Sequence, residues 1–439
     1  MGGVSIGLGL GRPALWAGPE CSYLTVGDWA CDQLALTGHD ARIDDIDRLA
    51  ALGVTAVRYP VLWGRDRGTR EETDWAWAER RLKRLDELGI APIVGLLHHG
   101  FGPDGTDPLD TQWPRRFARY ASDVATRFPE ASSFLPINEP LTTARFGGLY
   151  GWWPPYARDD DTFVGLLLAQ AQGYVEASRA IRGIRPAATV LINDDVGRTL
   201  GTTPCRPAVD HANERRWLAF DLVTGRVDRS HPLWAYLARS RRHRRLLDQL
   251  FREPEPPDLI GIDHYVTSDR FLDDQVARYP VEKRGGDGRI EYADVELARV
   301  AGYEVLGFSR AIAETWDRYG LPMALTEVQL AGGPDDQLAW WTQAWEAAVA
   351  ATREDIPVVA VTAWAAFGAY EWSSVLRRRD GAYEAGCYDV RSDRPTPTRL
   401  PELLAATARG ADPAPSIGWW QRDERVMYGR APLDCPGAI

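Results

Sequence analysis

Eight short apolar runs, separated by segments of helical spacing, recur along the chain and restrict its fold more than any other feature. They span 15–18, 54–63, 90–97, 134–137, 188–192, 259–262, 322–326 and 357–364. Between them Ile43, Ile46, Leu49 and Leu52 fall on one helical face and stop at Gly53; Leu82, Leu85 and Leu88 stop at Gly89. Phe117, Tyr120, Val124 and Phe128 mark another helix, and the pattern predicts more over 163–181, 303–319, 337–353 and 400–408. Strands that are apolar throughout are buried on both faces, which calls for a parallel sheet covered by helices. Eight of them imply closure into one (β/α)8 barrel, a fold that reaches 439 residues with insertions. No low-complexity linker divides the chain, so residues 1–439 are read as a single barrel domain. A surface tail is expected from about 411, with Pro413, Pro415, Pro432 and Pro436, and Gly285-Gly286-Asp287-Gly288 is the expected mobile loop.

Composition narrows the partners. At 45% hydrophobic and 26% charged this is ordinary globular material. A net charge of −11 argues against nucleic acid and anionic membranes, and the basic run Arg239–Arg245 reads as the solvated face of a helix. Cys21, Cys31, Cys205, Cys387 and Cys435 are odd in number and scattered, which suits a reducing cytoplasm better than a disulfide framework or a zinc site. No leader is visible in the first residues, and no segment approaches the ~20 apolar residues of a membrane span.

Barrels carry their chemistry at the C-terminal ends of the strands. The polar residues there are Arg58, His98, His99, Asn138, Glu139, Asn193, Asp194, Asp195, Asp263, His264, Tyr265, Glu327 and Trp364. Glu139 after the fourth strand and Glu327 after the seventh stand out. Two carboxylates opposed across a mouth are what glycoside hydrolysis needs, one to protonate the departing oxygen and one to attack or to activate water. Each residue also has a plainer reading. Glu139 beside Pro140 could cap a helix, Arg58 could serve any buried carboxylate, and the tryptophans could be core. His264 could be a buried structural histidine. His98 and His99 could suggest a metal with 193–195, but no i, i+4 histidine spacing supports one.

Ile137-Asn138-Glu139-Pro140, Leu325-Thr326-Glu327, and Ala363-Trp364 followed by Tyr370-Glu371-Trp372 resemble the signatures of glycoside hydrolase family 1, the retaining β-glycosidases. Arg58-Tyr59-Pro60, Leu97-His98-His99-Gly100, Gly261-Ile262-Asp263-His264-Tyr265 and Tyr150-Gly151-Trp152-Trp153-Pro154-Pro155 are similar to further family segments, so the likeness runs over roughly 10–405. It is strongest to a divergent bacterial branch. The resemblance implies Glu139 as acid/base and Glu327 as nucleophile. It also implies Asn138 on the substrate 2-hydroxyl, Arg58 beside Glu327, His98, Glu371 and Trp372 on other hydroxyls, and Trp364 as the floor of the sugar subsite. The chain departs from the family at Val328-Gln329, at Pro19-Glu20-Cys21 where a Gln-x-Glu-Gly motif is expected, and at Gly100. The sixth-strand tyrosine that contacts the nucleophile is also expected to be replaced, with His264 or Tyr265 as its stand-in.

These readings converge on a cofactor-free, metal-free retaining β-glycosidase acting on a small-molecule glycoside in the cytoplasm, its oligomeric state left open. The alternatives are a transglycosidase that passes the sugar to an acceptor other than water, and a sugar-binding barrel without turnover.

Overall fold

All eight apolar runs form strands, and the strands close on one another. The structure, a computed structural model, describes residues 5–65, 67–69, 72–73 and 75–428. The barrel strands are β1 Ala14–Ala17, β2 Ala56–Pro60, β3 Ala91–Gly95, β4 Ser133–Leu135, β5 Thr189–Asp195, β6 Leu259–Asp263, β7 Met323–Val328 and β8 Val358–Ala363. Each pairs in parallel with its sequence neighbours, and β8 returns to β1. The main covering helices are α1 Asp45–Ala51, α2 Ala76–Glu87, α3 Trp113–Arg127, α4 Asp160–Ile184, α5 Arg241–Arg252, α6 Gly307–Tyr319, α7 Pro334–Arg353 and α8 Leu400–Ala408. The single (β/α)8 barrel expected from the sequence is what the chain forms.

Alternation along each strand decides what lies inside. On β6, Ile260 and Ile262 join the core beneath the helices, whereas Leu259 turns inward. Leu259, Leu191, Leu135 and Trp16 fill the barrel's lower half with Ile6 and small alanines, each large side chain contributing about 1.5–3 kcal/mol by burial. One step up, Gly261 is required by space. A Cβ there would stand 2.5 Å from Thr326 Oγ1 and 2.6 Å from the Cβ of Asn193. Above it the inward positions become polar, and the site begins.

Helix ends differ from the periodic pattern where caps decide them. α4 starts at Asp160 because Asp159 accepts a hydrogen bond from Thr162 N at 2.8 Å. α6 starts at Gly307, not 303, because Asp269 Oδ2 takes the backbone N–H groups of Leu306 and Gly307 at 3.0 and 3.3 Å. A cap supplied from another element leaves no mark in the local sequence.

An accessory sheet of four strands, Thr199–Gly201, Arg270–Asp273, Glu291–Glu296 and Arg284–Gly286, rises from the loops after β5 and β6. It takes in part of the segment 285–288 that the sequence reading marked as a mobile loop. Gly285 and Gly286 pair with Tyr292 and Glu291, and Asp287 accepts from the backbone of Arg289 and Ile290 to close the turn. In the described residues after 411, Trp420 packs edge-on to Trp340 and Trp419 N donates to Asp336 Oδ1 at 2.8 Å. Pro432, Cys435 and Pro436 lie outside the described residues.

Candidate active site

The hydrogen-bond ladder continues past the strands at the barrel mouth. Isolated parallel bridges join His98 to Asn138 and Asn138 to Asn193, and Asn138 N donates to Leu97 O at 2.9 Å. Glu139 then takes a left-handed conformation, φ 43° and ψ 61°, and Pro140 opens the short helix Pro140–Ala144. A non-glycine residue there is strained by about 1–3 kcal/mol, and its surroundings must hold it. Asp194 does so, accepting from Leu141 N at 2.7 Å, Thr142 N at 3.3 Å and Thr142 Oγ1 at 3.0 Å. Asp194 therefore caps this helix, and the Glu139 side chain does not.

On β7 the pairing with both neighbours slips near Thr326 and Glu327. Such an irregularity re-aims side chains, and here two consecutive residues face inward. Thr326 Oγ1 donates to Asp263 Oδ1 at 2.6 Å, and Glu327 Oε1 meets Arg58 Nη1 at 2.9 Å. The Tyr265 hydroxyl donates to Oε2 of Glu327. Arg58 also donates to Thr326 O at 2.7 Å and from Nη2 to Asn138 Oδ1 at 2.6 Å, while its guanidinium carbon lies 4.2 Å from the Trp364 ring centroid. Asn193 Nδ2 donates to both Asn138 Oδ1 and Asp263 Oδ2.

That network fixes protons as well as positions. Asn138 Oδ1 accepts from two donors, so its Nδ2 faces His98 Nε2 at 3.3 Å and makes that nitrogen the acceptor. The His98 proton then sits on Nδ1, 3.4 Å from Cys21 Sγ. Trp364 stacks on His98 with centroids 5.5 Å apart and donates from Nε1 to Glu20 Oε2 at 3.2 Å. Glu20 Oε1 is held by Ser22 N at 2.8 Å and Ser22 Oγ at 2.5 Å.

One oxygen from each of Glu139, Asp263 and Glu327 lies within 4.8 Å of the others; among the described residues this is the one trio close enough to share a cation. Burial pushes the Glu139 carboxyl well above its usual value, with Asp263 and Glu327 adding to the rise. Burial also lifts Glu327, to about 7, against the pull of Arg58 and the Tyr265 hydroxyl. The Glu139 carboxyl takes no such hydrogen bond, and His99 Nε2 stands 3.7 Å from it. The two glutamates thus sit in environments that favour a proton on Glu139 and charge on Glu327.

The structure gathers Arg58, His98, Asn138, Glu139, Tyr265, Glu327 and Trp364 in one network, and Trp372 meets His99 with ring centroids 5.4 Å apart. Glu371, also left-handed at φ 64°, accepts from Gly381 N and leaves Oε2 buried without a partner. His264 is a correction. It follows the inward Asp263 by one residue, so alternation turns it out of the barrel. It is 1% exposed, stacked on Trp340 and edge-on to Phe308 beneath α6 and α7, with neither ring nitrogen hydrogen-bonded. The tyrosine on the nucleophile, expected to be replaced, is present as Tyr265. Glu20, Asn193, Asp194 and Asp263 had no assigned role in the sequence reading, although the last three stood among its strand-end polar residues. The period-two alternation would have picked Asn193 and Asp263 as inward.

No protein-family model matches the chain, and no curated protein matches it in sequence. Its fold is that of solved (β/α)8 glycosidases. A family 1 glycoside hydrolase of Thermotoga maritima bound to a cyclophellitol analogue superposes with a TM-score of 0.70 at 17% identity, over 92% of this chain and 99% of that one. A β-glucosidase from Exiguobacterium marinum gives 0.69 at 16% identity, over 91% and 99%. The AHE enzyme from Alicyclobacillus herbarius gives 0.69 at 18%, over 85% and 87%. At such identities the likeness carries the architecture, and the chemistry rests on the site.

Proposed function

We propose that this chain is a retaining β-glycosidase. The observation that carries the reading is the Glu139–Glu327 pair. Their nearest oxygens are within 4.8 Å, which suits the ~5–5.5 Å carboxyl spacing of retaining enzymes rather than the ~6.5–9.5 Å that leaves room for water. A Glu327 oxygen attacks the anomeric carbon as the bond to the departing oxygen breaks, and the Glu139 proton goes to that oxygen. A water then gives its proton to Glu139 while its oxygen takes the anomeric carbon from Glu327. Arg58 and Tyr265 hold the nucleophile's charge and orientation. Glu371 Oε2 has no hydrogen-bond partner, which suits a contact with a sugar hydroxyl. Several of the neighbouring structures are β-glucosidases, which supports the same reading, and one of them is bound to cyclophellitol. Four buried free cysteines suit a reducing, cytoplasmic setting, and no helix among the described residues is long and apolar enough to cross a membrane.

Incubation with a 2-deoxy-2-fluoro-β-glycoside bearing a good leaving group tests the mechanism. The sugar is expected on the peptide containing Glu327, read by mass spectrometry. Labelling elsewhere, or none with any of a panel of sugars, removes the assignment.

A further inference from the structure

His99 is held tightly beside the proposed acid, although neither step of the proposed reaction calls on it. It lies beyond the end of β3 in a left-handed backbone conformation, φ 64°. A non-glycine residue there costs about 1–3 kcal/mol and persists only where its surroundings impose it. Those surroundings are rings. His98 stands edge-on to His99 with centroids 4.6 Å apart, Trp372 edge-on at 5.4 Å and Trp153 tilted at 5.0 Å. The side chain is 2% exposed, and the three rings fix its plane.

Both nitrogens of His99 face the same turn of chain. Nδ1 lies 3.2 Å from Thr143 Oγ1, and Nε2 lies 3.7 Å from Glu139 Oε2.

The Thr143 hydroxyl decides which nitrogen carries the proton. Thr143 is 2% exposed, and among the described residues His99 Nδ1 is the one hydrogen-bond partner of its hydroxyl. A buried hydroxyl left without an acceptor costs about 1–3 kcal/mol. Thr143 Oγ1 therefore donates to Nδ1, and the ring proton sits on Nε2, on the side of Glu139. The ring is neutral, because burial and then the nearby Arg58 lower its pKa to about 3. A neutral N–H can serve either form of a carboxyl. While Glu139 is protonated, Oε2 accepts from His99 and the acid proton is left on Oε1. Once Glu139 is ionised, the same donor stabilises its charge.

We infer that His99 is a positioning residue for the acid/base, donating from Nε2 to Glu139 Oε2 so that Oε1 carries the proton passed to the departing oxygen. This rests on the glycosidase reading and deepens it. Catalytic hydrogen bonds are often long without substrate and tighten when it binds. Here the gap has to close by about 0.8 Å to reach an ordinary N–H···O length.

The test reads leaving group and pH together. His99→Phe keeps a ring among the aromatics and removes the donor. Its kcat/KM is expected to fall about 10-fold on aryl glycosides with poor leaving groups. On the dinitrophenyl glycoside, which needs no proton, it should stay within about 2-fold. The basic limb of kcat/KM, set by Glu139 in the free enzyme, should move up by about 0.5–1 pH unit, since the charged form has lost a donor. The other groups whose charges act on Glu139 are Asp263, Glu327, Asp194, Asp195, Arg145 and Tyr265, with Arg58 bound to Glu327, and the substitution alters none of them. His99→Gln can place an amide N–H where Nε2 stood and should restore most of both losses.

Thr143→Val keeps the shape of the side chain and leaves His99 and its rings in place, so it guards against misfolding of the Phe variant. It frees Nδ1 to hold the ring proton, and both readouts should move in the same direction as in His99→Phe. A loss that is equal on all leaving groups, or no loss at all, with the basic limb unmoved in both variants, makes His99 a packing residue and overturns the inference while the glycosidase reading stands. If the wild type turns over no glycoside and Glu327 takes no fluorosugar label, the glycosidase reading falls and this inference with it.

Discussion

The hydroxyl of Tyr265 donates to Oε2 of Glu327, the oxygen that Arg58 leaves free. The carboxylate is gripped at both ends and presents its remaining lone pairs to the pocket. Replacing Tyr265 by Phe removes one grip and keeps the ring. Steady-state kinetics should show kcat/KM lower by about 10²-fold with an unchanged fold by circular dichroism. An unaltered rate would mean that Arg58 alone suffices.

The two glutamates separate by leaving group. Glu327→Ala removes the atom that bonds to the anomeric carbon and should abolish turnover of every substrate. Glu139→Ala removes proton donation, worth about 10²–10⁴-fold with a poor leaving group and little with dinitrophenolate or fluoride. Deglycosylation is then slow for want of a base, so a burst should appear and azide should accelerate turnover. Equal loss in both variants on all substrates contradicts the roles.

Glu139 should also cost stability at high pH. Its carboxyl pKa is raised on folding, so the folded chain keeps a proton that the unfolded chain gives up as pH climbs through the ordinary carboxyl range. The stabilising contribution is complete below about pH 4 and is lost progressively up to the folded-state value. Glu139→Gln removes this dependence. Its Tm should match the wild type near pH 4 and exceed it by a few °C at pH 8, the gap widening with pH, as read by calorimetry.

His264 should matter to packing and not to turnover. Neither ring nitrogen is hydrogen-bonded inside its aromatic cluster, and Asp269 Oδ2 stands 3.7 Å from Nε2. His264→Phe is expected to leave kcat/KM within about 2-fold and Tm unchanged or higher. His264→Ala should lower stability by about 2–4 kcal/mol through the cavity it leaves. A large kcat/KM loss in the Phe variant would return His264 to the site.

Much of this was legible before any coordinates. Apolar runs of barrel length announce buried parallel strands whatever surrounds them, and β1 to β8 lie where the runs lie. Arg58, Asn138, Glu139 and Glu327 were legible because strand ends in a barrel converge on one mouth. His264 was misjudged because a strand-end position says nothing about facing, which the alternation through Ile262 and Asp263 decides. The consecutive inward turn of Thr326 and Glu327 could not be read at all, since it depends on a register slip against β6 and β8. The capping of Pro140–Ala144 by Asp194 and of α6 by Asp269 joins residues far apart in the chain, so no local pattern signals it.

The accessory sheet ties two loops together by its one parallel pairing, Thr199–Gly201 against Arg270–Asp273. Parallel neighbours cannot form as a local hairpin, and these two strands have β6 between them in sequence. That flank of the mouth has no means of assembling until the barrel has brought β5 and β6 side by side. It should be the late-forming, first-lost part of the molecule, acquiring amide-exchange protection after the strands below it. A graft of either loop alone onto another barrel would carry half an interface.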